Sequence, residues 1–130
     1  MDTSKEYIEM AKRAVEVQGL WKPSKGDAYI IGGAMPGDKH FGVTYLGCCW
    51  QKCSGCRFEV EELKYECVWL PRQDQLQDMI DKPLANLTKR FYDYLKTTGF
   101  EVNLNSMEQL WLAFVMHEKY QKKWGGQDWI

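Results

Sequence analysis

No stretch of this sequence carries an excess of positive charge, none is apolar for long, and only 2 of its 130 residues are histidine. Each shortage excludes something. Counted in four successive segments, basic and acidic side chains stay within one of each other, giving a net charge of -1. Binding nucleic acid through a broad basic face needs a positive excess to neutralise phosphates and release counterions, so that class is disfavoured. The longest apolar runs, such as "LWLAFVM", are far too short to cross a bilayer. His40 and His117 are remote in sequence, and His117-Glu118 has Gln121 where a zincin helix would place its second histidine. With no acid–base or nucleophile set at motif spacing, the expectation is a protein that is not an enzyme. The opening "MDTSKEYIEMAKRAVEVQ" is amphipathic and charged, unlike a secretory leader. Five cysteines, an odd number, favour a reducing compartment, and the expected location is cytoplasmic.

The hydrophobic and charged fractions, 45% and 27%, are those of a folded chain. One globular domain spanning residues 1–130 is expected. It should bury roughly two thirds of its unfolded surface without needing a metal or disulfide. Thr3 and Glu6 have capping-box spacing, Ile8, Ala11, Ala14 and Val15 recur at helical period, and Gly19 is a natural stop. "AYIIGG" and "FGVTYLG" read as strands around the loop "AMPGDKH"; "RFEVEELKYECVWL" alternates with one slip, as one strand or two. Three helical patterns follow Pro71: "RQDQLQDMI", "PLANLTKRFYDYLKTT" and "MEQLWLAFVMHEKYQKKW". Asn105 and Glu108 stand at box spacing before the last, whose buried stripe is Leu110, Trp111, Phe114 and Val115. The expected fold is α+β: an N-terminal helix, a three- or four-stranded antiparallel sheet, and three C-terminal helices packed on it.

"CCWQKCSGC" holds four of the five cysteines in nine residues. Cys49, Cys53 and Cys56 repeat the C-x3-C-x2-C spacing of the cluster loop of radical S-adenosylmethionine enzymes. That resemblance covers only this loop, with Gly55 where those enzymes usually carry an aromatic residue, and the chain is too short for their barrel. A thioredoxin-like dithiol would need a βαβ unit that is not visible. Zinc is the serious candidate, with Cys49, Cys53, Cys56 and Cys67 as the ligand set, although a second C-x2-C pair is missing. Small buried hydrophobes and loop thiols account for the cluster more simply. "GGAMPGDK" lacks a lysine directly after its last glycine, so it reads as a hairpin loop, not a phosphate loop.

Aromatic residues are what this chain has in plenty, with 6 Trp, 7 Tyr and 5 Phe. Trp21, Trp50, Trp69, Trp124 and Trp129 fall near element ends or loops, where exposure would mark a binding surface. Trp50, Trp69, Arg72, Asp74, Tyr120 and Trp124 are the candidate contact residues. Lys119, Lys122 and Lys123, beside Tyr120 and Trp124, would be the route to any single-stranded nucleic acid. They equally suit a helix C-terminus.

The segments "VWLPRQDQLQDMI" and "LWLAFVMHEKYQKKW" resemble small uncharacterised proteins encoded in prophages and other mobile elements of Firmicutes. The resemblance implies a bacterial or phage origin and an accessory role, and carries no catalytic or ligand residue. The expected function is therefore direct binding of a host or phage protein, with inhibition of a host system one form it would take. A homo-oligomer is compatible with that reading, and membrane association is not expected. The alternatives are a small zinc-binding domain touching nucleic acid, and a protein that binds or sequesters a small molecule or nucleotide in an aromatic-lined pocket.

Overall fold

A computed structural model describes residues 1–31, 42–46, 67–98 and 104–130. Its elements are α1 (Lys5–Arg13), α2 (Val15–Gln18), β1 (Ala28–Ile31), β2 (Val43–Tyr45), β3 (Cys67–Leu70), α3 (Gln73–Asp78), α4 (Leu84–Thr97) and α5 (Met107–Tyr120). The chain is thus a mixture of helices and antiparallel sheet, as its pattern predicts. "GGAMPGDK", "CCWQKCSGC" and the stretch "RFEVEEL" lie outside the described residues.

Both predicted helix caps fall one residue late. Ser4, not Thr3, caps α1 by accepting from the Tyr7 amide at 3.2 Å. Ser106, not Asn105, caps α5 by accepting from the Gln109 amide at 3.1 Å, while the Gln109 side chain accepts from the Asn105 amide at 3.0 Å. Serine competes well at such positions because its short hydroxyl reaches the orphan amides of the first turn.

The N-terminal helix is not continuous to Gly19. It breaks at Ala14, whose ψ of 66° leaves the helical region, and resumes as α2. At the break the Ala11 carbonyl accepts from the Ala14 amide at 3.2 Å and from the Gln18 side-chain amide at 3.0 Å. The same amide donates to the Trp69 carbonyl at 2.9 Å, and its oxygen accepts from the Trp69 amide at 2.9 Å. Gln18 therefore occupies the edge of β3 as a neighbouring strand would, which blocks pairing with another chain there. Val15, predicted to be buried, is exposed, and Val17 is buried in its place.

The sheet among the described residues has strand order β2-β1-β3, with both pairings antiparallel. Tyr29 at its centre pairs with Thr44 on one side and Trp69 on the other. Trp21 lies over this face, stacked on Trp69 at 6.0 Å and tilted against Tyr29 at 6.3 Å.

Among the described residues, the three C-terminal helices are not the layer that covers the sheet. β3 is packed by α1, and α5 in turn packs on α1 and α3. The reason is visible in α5, where Trp111 through Met116 are all buried. A segment apolar on every side must be covered on every side, and the neighbouring helices supply that cover. α4 completes the enclosure: Phe91 stacks on Trp111 at 4.0 Å and Tyr94 meets Phe114 at 5.4 Å.

α5 ends at Tyr120, earlier than its sequence pattern predicts, because Gln121 adopts a left-handed conformation with φ 53° and ψ 40°. The chain then forms a small hairpin in which Lys123 and Ile130 exchange both backbone hydrogen bonds at 2.9 Å and Trp124 bridges Trp129. Left-handed backbone costs a residue with a Cβ roughly 1 kcal/mol that glycine does not incur. Gln121→Gly is expected to raise stability by about 0.5–1 kcal/mol in chemical denaturation, less whatever the bond from its amide to the Glu118 carbonyl contributes. An unchanged or lower midpoint would show that the turn is held by that side chain.

Candidate functional site

The structure places Trp69 and Trp124, two of the predicted contact residues, inside the molecule, at 4% and 3% exposure. Trp21 and Trp129 are buried with them, so the expectation that tryptophans near element ends line a surface is corrected. Each has a local reason. The Trp124 indole donates to Glu6 at 3.0 Å and the Trp129 indole to the Met10 carbonyl at 3.0 Å, fastening the hairpin onto α1. The Trp21 indole donates to Asp27 at 2.9 Å. Trp50, Cys49, Cys53 and Cys56 lie outside the described residues. Cys67 is buried at the start of β3, and among the described residues no three His, Cys, Asp or Glu side chains gather as a metal site.

Arg72 and Asp74 do meet. Asp74 accepts from Arg72 at both oxygens, at 3.1 and 3.2 Å, and Arg72 also donates to Asp27 at 3.2 Å. Asp27 is only 1% exposed and accepts four hydrogen bonds, from the Trp21 indole, the Ser24 amide, Arg72 and Gln75. The hydrogen bond from Arg72 holds the Asp74 carboxyl below its usual pKa and raises that of the guanidinium. This is a clamp between the 21–27 turn and the start of α3. Its guanidinium is committed to carboxylates of its own chain, and its carboxylates face donors, an arrangement that holds a fold together and leaves no free base.

The basic–aromatic end of α5 is likewise dispersed by the early helix stop. Lys119 donates to the Met79 carbonyl at 3.1 Å, Lys122 pairs with Glu16, and Lys123 stands in the hairpin. The hydrogen bond from Lys122 keeps the Glu16 carboxyl below its ordinary pKa. Tyr120 is half-buried, and that burial raises its hydroxyl pKa. These groups do not share one helical face.

An open groove of about 440 Å³ runs between α1 and the hairpin, lined by Lys5, Glu9, Arg13, Trp124 and Gln127 among others. Its charges are largely answered internally, with Arg13 at 3.9 Å from both Glu9 and Asp128. Among the described residues Trp124 is the single aromatic side chain of its lining, and the described walls offer no second ring for a planar ligand to stack against.

The surface that does stand out is the outer side of α4, which sequence reasoning missed. Leu87, Phe91 and Tyr94 form the buried stripe of this helix. Tyr92 lies off that stripe at 60% exposure, with the Lys96 ammonium 5.4 Å from its ring centroid, whereas Leu84 continues the line of the stripe at the N-terminal end of the helix, where it is 74% exposed. Lys89 is exposed on the same side, and Arg90 is drawn away to Glu118 at 2.6 Å. The signal was available in the helical phase, since residues 85, 89, 92 and 96 follow one line opposite the buried stripe. No helix among the described residues is long and apolar enough to cross a membrane. No protein-family model, curated protein or solved structure matches this chain.

Proposed function

We propose that this chain is a phage- or prophage-associated accessory protein that works by binding a host or phage protein. Inhibition of a host system is one form such binding would take. The observation that carries the reading is that α4 holds two large apolar side chains in water, Tyr92 beside Lys96 on its outer side and Leu84 at its N-terminal end. Tyrosine is favoured at the centres of protein interfaces because it offers a large, stiff, amphipathic contact area. The resemblance of "VWLPRQDQLQDMI" and "LWLAFVMHEKYQKKW" to mobile-element proteins supports the setting.

The test is affinity capture of the tagged chain in a Firmicutes host, followed by titration of the captured protein, purified, against the chain. A one-to-one complex is expected. Leu84→Ala together with Tyr92→Ala should weaken it by about 2 kcal/mol or more, roughly 30-fold, with the melting temperature unchanged. Failure to rebuild any complex from purified components, or turnover of a substrate by the chain alone, would overturn the proposal.

A further inference from the structure

The bend at Gln121 sets the helical pattern of α5 against its tertiary structure. The pattern runs on through "EKYQKKW" to a natural stop at Gly125-Gly126, yet α5 ends at Tyr120. Gln121 is the only non-glycine residue of positive φ among the described residues, at a cap position that glycine or asparagine ordinarily takes. Glutamine and lysine are good helix formers, so local energetics favour a straight α5. What holds the bend lies beyond it. Trp124 donates to Glu6 at 3.0 Å, Trp129 donates to the Met10 carbonyl at 3.0 Å, Lys122 pairs with Glu16, and Asp128 stands 3.9 Å from Arg13. All four partners belong to α1 and α2, more than a hundred positions away.

We infer that residues 122–130 are an exchangeable strap, hinged at Gln121, which seats on α1 of a second copy of this chain when α5 runs straight. In the exchanged pair Gln121 takes helical backbone, and the bonds to Glu6 and Met10 and the pairs with Glu16 and Arg13 are made between copies. A second copy is the occupant because exchange needs no surface that the chain lacks. The seat each hairpin vacates is the seat the other hairpin fits, so a two-fold exchange closes on itself. A single chain with its strap lifted is the poorer alternative, because Trp124 and Trp129, buried at 3% and 8% exposure, would both enter water. Exchange relieves two left-handed residues and lengthens two helices, whereas pairing costs the freedom of one molecule. The closed single chain therefore prevails in dilute solution, and the pair gains with concentration.

The test is refolding of the full chain from denaturant at high protein concentration, then size exclusion with light scattering over a dilution series. Gln121→Ile, whose β-branched side chain fits left-handed backbone worst, should raise the dimerisation constant at least about tenfold over the parent, since two hinges change in each pair. Gln121→Ala keeps the test open if that variant folds poorly, and as the best helix former it should raise the constant as well. Gln121→Gly, which accepts the bend and disfavours the straight helix, should stay a single chain under the same conditions. In a pair made of one isotope-labelled and one unlabelled chain, filtered NMR should place the Trp129 indole of one copy beside Met10 of the other, the contact that a single chain makes within itself. The inference is overturned if Gln121→Ile and Gln121→Ala pair no better than the parent, if Gln121→Gly pairs as strongly as they do, or if the half-labelled pair shows that contact only within one copy.

Discussion

Asp27→Ala is expected to cost about 3–5 kcal/mol and to lower the melting temperature by roughly 10–20 °C. The carboxylate is 1% exposed, and its four partners are all donors: the Trp21 indole, the Ser24 amide, the Arg72 guanidinium and the Gln75 amide. Removing it strands the buried Trp21 indole N–H, at about 1–3 kcal/mol, takes the shared acceptor from three part-buried donors, and frees the 21–27 turn from α3. An asparagine in its place would not rescue the loss. The amide NH2 must replace one carboxylate oxygen, and each of the two oxygens already faces two donors. Asp27→Asn should therefore recover less than half of what Asp27→Ala loses, in denaturant titrations of both variants. A fully stable Asp27→Asn protein would mean that the clamp is not what holds this corner.

Trp129→Ala is expected to cost a comparable amount, about 3–5 kcal/mol, because it removes a buried indole and leaves the Met10 carbonyl with the Ala14 amide as its remaining donor. Trp124 faces Trp129 at 5.1 Å, so the hairpin loses its cross-strand pair as well as its anchor. Trp129→Phe keeps most of the ring and gives up the N–H, and should lose about 1–2 kcal/mol. Hydrogen exchange at the Ile130 and Lys123 amides, which bond each other's carbonyls, separates two outcomes. If they exchange fast while the melting temperature holds, the hairpin is an appended tail. If both change together, the hairpin is part of the cooperative fold.

The hairpin also shows where local pattern misleads. "WGGQDWI" follows a lysine-rich helix end, and helical period alone extends α5 through Trp124. A pair of tryptophans flanking Gly125-Gly126-Gln127-Asp128 was the available sign of a turn between two short strands. Nothing in the sequence, however, announces Met10 and Glu6 as the partners that bury those rings, more than a hundred positions away. The caps illustrate a smaller miss of the same kind. Asp2, Thr3 and Ser4, or Asn105 and Ser106, are each competent to cap, and tertiary contacts choose between them. Asp2 instead accepts from the Ser106 hydroxyl and the Gln109 amide, tying the start of the chain to the N-terminus of α5.

The sequence by itself determined the fold class of this protein, through helical period at both ends, β-rich runs between, and charge balanced along its length. Those properties depend on local spacing and sums of charge, which do not require knowing what lies next to what. Tertiary structure decided which aromatic residues are core and which are surface. Trp69 and Trp124 resemble loop-edge contact residues until their neighbours close over them, and Tyr92 resembles another core aromatic until α4 turns it outward. Burial belongs to the pairing of elements, and so the outward position of Tyr92 became visible only when α5 had taken its enclosure from the other side of α4.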